Sequence, residues 1–412
     1  MKIKVKFECY PDMLDTMIKN SINDIKNNKE NWDPPFFFDT KTYLDLSKIQ
    51  KITDQYITNN LKNIIVLGTG GSIQTFLALK HLAKRKIFPI TSSRTVELKG
   101  CLEKTSPSNS LVIPISRGGE TLDVNSTIGI FLRKGYPFLG LSSMGTMYKI
   151  LEDKQIPILD VPDLSGRYAG SISNVAIVPA YLAGVNVEDF LNGLEEGYNI
   201  FSTNDDNPAI ELSTFLYSLY KKDYKTVFSM PYSKNLEGSI GLWVQGISES
   251  TGKDEKGMLG TYQSAPLCQH SVLEYLLGGT KGNVIPIIWT IENEIGDFVL
   301  DSPISYINHH TAQTIVNYQA NATFQALIQQ GVPSAKISIE DPFENSMGHL
   351  LSFLLSSVYY LCLLIDVNWA TNPKVNIGKE ICNKALKEKA SEEQQIRLRK
   401  EIAKERFKDF FN

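Results

Sequence analysis

The stretch Leu111 to Arg133, LVIPISRGGETLDVNSTIGIFLR, leaves little freedom about the fold that surrounds it. Leu111 to Ile115 is an unbroken apolar run of strand length with no polar face, so it reads as a strand covered on both sides. Ser116 to Thr121 is a polar turn with two glycines, and Leu122 to Arg133 reads as a helix. Such a strand, loop and helix start offers unpaired backbone N–H groups and the positive end of a helix dipole, with two hydroxyls and the Arg117 guanidinium beside them. A phosphate is the natural guest. The plain alternative is an ordinary turn in which Ser116 and Thr121 are N-cap candidates.

The same grammar occurs earlier. Asn63 to Leu67 (NIIVL) reads as a strand, Gly68 to Ser72 (GTGGS) as a turn, and Ile73 to Ala83 as a helix. A dinucleotide fingerprint would need a third glycine where the chain has Ile73, so this corner argues poorly for NAD. Tyr136 to Leu141 and Ile156 to Leu159 add strands. Alternating strands and helices imply a parallel sheet with helices on both faces, and ligands of such sheets sit at the carboxyl ends of the strands. Gly71, Ser72 and the Ser116 to Thr121 loop would therefore face one crevice.

A Gly- and Ser-rich loop, Asp163 to Asn174, carries Arg167 and leads into an apolar helix from Val175 to Leu182. After a polar linker near Ser202 to Asn207 the alternation resumes, with strands at Thr226 to Met230, Asn283 to Ile291 and Ala335 to Glu340. Helices are expected at Leu236 to Ser250, Thr311 to Gln329 and Met347 to Asp366. The expected division is an N-terminal arm (1–40) over the first domain, two α/β domains (41–200 and 201–370) and a Lys- and Glu-rich helical tail (371–412).

A chain of 412 residues exceeds one ordinary core, and 42% hydrophobic with 21% charged residues describes a globular protein rather than a disordered one. The net charge of -3 argues against nucleic acid as a partner. Five scattered cysteines give neither a disulfide framework nor zinc spacing. No metal-ligand cluster is visible and no metal or organic cofactor is expected. The N-terminus lacks the apolar segment of a signal peptide, which makes the cytoplasm the expected compartment. The most apolar window, Leu350 to Ile365, is shorter than the ~20 residues a bilayer needs and holds three serines, so a buried core helix is expected and no membrane contact.

Three polar groups in the second half are individually ordinary: Glu249 in GISESTGKD, His270 in LCQHSVLEYLL and Lys379 in NIGKE. Their order, after GTGGS, SRGGET and the Gly166-Arg167-Tyr168 loop, resembles the glucose-6-phosphate isomerase family over residues 65 to about 382. The resemblance implies two sugar-isomerase (SIS) lobes, each a mainly parallel sheet between helix layers. It also implies reversible isomerisation of glucose 6-phosphate and fructose 6-phosphate. His270 with Lys379 would open the ring, Glu249 would carry a proton between C2 and C1 through a cis-enediol, and Arg167 would stabilise the enediolate. Gln245, one turn before Glu249, would bind substrate with Gly71 and Ser72, while Ser116, Arg117 and Thr121 would hold the phosphate. In this family the histidine comes from a neighbouring subunit, which implies a homodimer. The chain departs from the family at Arg117, Gly118 and Glu120, where a lysine and hydroxyl residues are usual. A carboxylate there repels phosphate, so Glu120 is expected to turn away. A bifunctional glucose/mannose-6-phosphate isomerase and a non-catalytic sugar-phosphate sensor are the alternatives.

Overall fold

The computed structural model describes residues 2–9, 14–28, 39–40, 42–162, 172–203, 207–372 and 374–409. Met1–Thr371 is one compact unit and Asn372–Asn412 a second. In chain order the first unit contains β1 (Ile3–Glu8), α1 (Leu14–Asn28), α2 (Leu46–Thr53), β2 (Asn63–Leu67), α3 (Gly71–Ala78), β3 (Lys86–Ile90), α4 (Thr95–Leu102), β4 (Ser110–Pro114), α5 (Leu122–Arg133), β5 (Gly140–Leu141), α6 (Gly145–Asp153) and β6 (Ile158–Leu159). It continues with α7 (Asn174–Ala183), α8 (Val187–Thr203), α9 (Pro208–Tyr220), β7 (Thr226–Pro231), α10 (Glu237–Thr251), β8 (Leu259–Tyr262), α11 (Leu273–Gly278), β9 (Val284–Ile291), α12 (Ala312–Gln329), β10 (Ser334–Ile339) and α13 (Glu344–Ile365). The second unit contains one helix, α14 (Val375–Asp409), exposed from Val375 to Glu401 apart from the half-buried Asn383.

Two sheets flanked by helices result. In the first, β3, β2 and β4 run parallel, and bridges from Val112 to Phe138 and from Ile115 to Leu141 join them to the parallel pair β5 and β6. Every residue of β2 and β4 is buried, as their unbroken apolar runs require. From β2 the chain steps outward to β3 and then returns to the other side of β2 for β4. The carboxyl ends of β2 and β4 therefore flank a topological switch point, where the connections diverge and leave a crevice.

The second sheet has the order β1, β10, β9, β7, β8. All its pairs are parallel except β1 with β10, which runs antiparallel from Ile3 opposite Ile339 to Glu8 opposite Ser334. The first residues are thus an edge strand of the second sheet, not an arm over the first domain. The cause lies in MKIKVKFE itself: Ile3, Val5 and Phe7 alternate with lysines, the period of a half-buried strand whose charged side protects an edge.

Helix α13 forms the centre. From Ser346 to Ile365 every residue is buried, including the whole Leu350–Ile365 window, so a helix long and apolar enough to cross a membrane is here a core element. Two of its serines bond one turn back: Ser352 and Ser357 donate to the carbonyls of His349 and Leu354, both at 2.8 Å, while the buried Ser346 and Ser356 hydroxyls have no partner among the described residues. Ser357 Oγ also accepts the Trp243 indole N–H at 3.0 Å, and Trp243 meets Trp289 edge-on at 5.0 Å between ring centroids. These contacts seat α10 on the core. On its other side α10 meets α3 at backbone distance, because Gly238 carries no side chain: a Cβ there would lie 2.7 Å from the Leu77 carbonyl carbon and closer still to its oxygen. This crossing brings the second half of the chain to the crevice of the first sheet.

Candidate active site

The GTGGS corner follows β2 directly. Gly70 caps α3 with φ 57° and ψ -138°, a backbone conformation that side chains resist, and this bends the chain so that Gly71 and Ser72 open the helix. Across the corner stands Gln245 of α10, whose Nε2 would lie 3.7 Å from a Cβ on Gly70. The Gln245 Nε2 donates to Glu249 Oε1 at 2.8 Å, the i to i+4 pairing of one helix face. Gln245 Oε1 is buried with no hydrogen-bond partner among the described residues, so a ligand hydroxyl at this corner would meet a waiting acceptor. Gly71, Ser72, Gln245 and Glu249 are therefore brought together by the α3–α10 crossing.

The second corner follows β4 on the adjacent strand, where Ile115 N–H donates to Leu67 O at 2.8 Å. Ser116 is buried, and its hydroxyl lies 2.8 Å from that of Thr121. Thr121 occupies the N-cap position of α5 but makes no side-chain cap, since its hydroxyl is turned to Ser116. The first turn of α5 is thus left without a side-chain cap beside two paired hydroxyls, a seat for an anion rather than a closed turn. Arg117 is exposed at the rim. The loop is held from behind: Arg117 O accepts the N–H groups of Ser143 (3.1 Å) and Met144 (3.3 Å), and Gly119 O that of Met147 (3.0 Å). Glu120 does turn away, as its charge demands. Its Oε1 accepts the Thr146 N–H at 2.7 Å and the Thr146 hydroxyl at 2.8 Å, capping α6.

His270 closes a short 3₁₀ turn, Leu267–His270, and is exposed, with no hydrogen bond to Glu249 or Gln245. Its neighbour Gln269 is anchored instead, donating to Tyr232 OH at 2.8 Å and to Gln319 O at 3.3 Å. Burial pushes the Tyr232 phenol up to about 12, so it remains a neutral partner for Gln269 and Thr323. Lys379 is exposed on α14 of the second unit, and Arg167 with its loop lies outside the described residues.

A cavity of about 720 Å³ runs along the α3–α10 groove beside Gln245. Gln74, Leu77 and His81 line one wall, and Gly238, Gly241, Gln245 and Ser248 the other. The sequence reading missed Gln74 and Ser248, yet the signal was there: 238, 241, 245 and 248 are spaced three and four apart, a face of small and polar residues on one helix. His81 Nε2 lies 2.8 Å from Pro342 O, and burial lowers its pKa below the usual histidine range. Among the described residues no group of three or more His, Cys, Asp or Glu is arranged to hold a metal ion.

No family model matches the chain. It is 26% identical over 349 residues to the glucose-6-phosphate isomerase of Methanocaldococcus jannaschii, covering 80% of this chain and 86% of that protein. It is 25% identical over 377 residues to the glucose-6-phosphate isomerase of Mycoplasmopsis pulmonis, covering 84% and 87%. Among solved structures, a hypothetical protein from Thermus thermophilus superposes with a TM-score of 0.82 at 17% identity, over 93% of this chain and all of that one. A glucose-6-phosphate isomerase from Chlamydia trachomatis superposes with a TM-score of 0.76 at 17% identity, over 94% of this chain and 89% of that one. The structural likenesses carry the fold. The sequence likenesses cover 80% or more of this chain and 86% or more of each of these two relatives, and they support a place for it in the glucose-6-phosphate isomerase family.

Proposed function

We propose that this chain interconverts glucose 6-phosphate and fructose 6-phosphate, with Glu249 moving a proton between C2 and C1. The observation that carries the reading is the Gln245–Glu249 pair, fixed on one helix face against the Gly70–Ser72 corner at the switch point of the first sheet. The phosphate goes to the Ser116–Thr121 end and the reacting carbons to the Glu249 end. In the open aldose, Glu249 takes the proton from C2 as the C1 carbonyl becomes the enediolate oxygen. The same carboxyl returns a proton to C1 while the hydroxyl proton on the C2 oxygen passes to the C1 oxygen, which leaves the ketone at C2. A carboxylate suits this shuttle because it has to be base in one half-step and acid in the next. Arg167 would offset the enediolate charge, as a fixed cation does best in a shielded site.

Ring opening falls to His270, in a homodimer in which the histidine enters the neighbouring subunit's crevice. What supports this assignment is the exposure of His270 in an apolar setting: Leu267 in its own turn is 75% exposed and Tyr275 just beyond is also exposed. Exposed apolar side chains on that scale mark an interaction surface.

The deciding experiment is a coupled assay for glucose 6-phosphate formed from fructose 6-phosphate, with mannose 6-phosphate assayed in parallel. Turnover of the first alone is expected. Comparable turnover of both would make the chain a bifunctional isomerase, and binding without turnover of either would make it a sensor. Light scattering tests the dimer: a fully active monomer overturns the role given to His270 across an interface.

A further inference from the structure

Glu249 sits two residues from the end of α10, in the last turn, where helices fray unless something holds them. Two hydroxyls hold it. Ser248 Oγ donates to Val244 O (3.0 Å) within the helix and accepts the Gly260 N–H (2.9 Å) from strand β8. Thr251 Oγ1 does the same one turn on, donating to Ile247 O (2.7 Å) and accepting the Met258 N–H (2.9 Å). Among the described residues strand β8 pairs only with β7, so the Gly260 N–H lies on the outer edge of the sheet, where Ser248 accepts it. The approach needs glycine at 260, because a Cβ there would come within 2.8 Å of Val244 Cα.

We propose that Ser248 is a positioning residue for the isomerisation: its hydroxyl staples the last turn of α10 to β8 and so fixes the direction in which Glu249 points. The proposal rests on the reading of Glu249 as the proton carrier. Ser248 precedes Glu249 in sequence and lines the cavity on the same face as Gln245, so freedom gained at Ser248 passes directly to the carboxylate. The phosphate end, built on β4 and α5, shares no hydrogen bond with this staple. Loss of the staple should therefore cost turnover and spare binding, because displacement of a reacting group by a fraction of an ångström weakens the transition state more than the bound substrate.

The test is Ser248→Ala in the full-length protein, with steady-state kinetics on fructose 6-phosphate and a thermal melt to verify folding. Turnover is expected to fall about tenfold with KM within about twofold of wild type. Ser248→Thr, which keeps the hydroxyl, should restore most of it. Should the alanine variant fail to fold, Ser248→Cys, a weak acceptor of similar size, carries the same test. A folded variant with unchanged kcat, or with a raised KM and unchanged kcat, overturns the staple while leaving the isomerase reading intact. A wild-type protein that turns over no sugar phosphate overturns the reading beneath it.

Discussion

Gly238→Ala probes how the two halves of the chain make one site. At this position α10 touches α3 backbone to backbone: the added Cβ would fall 2.7 Å from the Leu77 carbonyl carbon and 3.0 Å from Ala78 Cα. Ordinary contact begins at 3.4 Å, so the helices have to part by roughly 0.7 to 1 Å, and both obstacles are main chain that no rotamer change can clear. Overpacking of this kind costs about 1 to 3 kcal/mol, while alanine in a helix interior returns about 1 kcal/mol relative to glycine. Net destabilisation should therefore be about 2 kcal/mol at most, a shift of a few degrees in Tm. The same movement carries Gln245 and Glu249 away from the Gly70–Ser72 corner, and ~1 Å of misplacement can cost on the order of a hundredfold in rate. The expected outcome is a folded protein whose kcat/KM for fructose 6-phosphate falls ten- to a hundredfold, measured by the coupled assay beside a melting curve. A variant within twofold of wild type in kcat/KM would refute the claim that this crossing assembles the site.

Other outcomes follow from the same geometry. Glu120→Ala removes the cap on α6 and loosens the Ser116–Thr121 loop, so KM for the sugar phosphate should rise several-fold with kcat little changed, and Glu120→Gln, which keeps an acceptor, should recover much of the loss. A lowered KM in Glu120→Ala would mean that charge repulsion outweighs the cap. Exchange of Glu249 for Gln should cut turnover on the order of a hundredfold or more while binding, followed by calorimetry, persists. Burial lowers the pKa values of His81 and His349 below the ordinary 6.5, so the unfolded chain binds more protons than the native one once the pH drops below 6.5. Their stabilising contribution is complete above that pH and fades as pH falls from 6.5 through the lowered native values. Melting temperature should accordingly decline between pH 7 and pH 5, less steeply in His349→Gln, and an unchanged slope in that variant counts against the assignment.

The elements that position the site were readable where burial dictates pattern. NIIVL and LVIPI could only be covered strands, and the glycine corners after them could only emerge at their carboxyl ends. The apolar window at Leu350–Ile365 was rightly a core helix, since every residue of it is buried and Ser352 and Ser357 bond one turn back along the helix. Strand β8 was not readable, because LGTY is short and lies at an edge, where it is held by Ser248 and Thr251 rather than by an apolar face. Strand β1 was readable in principle from its period of two, but its partner β10 is more than three hundred residues away and no local signal names it. In the site, the nearness of Gln245 to Gly70 depends on a glycine contact at Gly238 that only the folded chain reveals. The turning of Glu120 followed from charge alone, while its new partner at Thr146 did not.

The central claim is that Glu249 carries a proton between C2 and C1. Glucose 6-phosphate bearing deuterium at C2, followed by NMR of the product, tests it most directly. The wild type should give fructose 6-phosphate with part of the deuterium at C1 and the rest lost to water, and Glu249→Gln should show neither transfer nor loss. Label transfer at the wild-type rate in Glu249→Gln would contradict it.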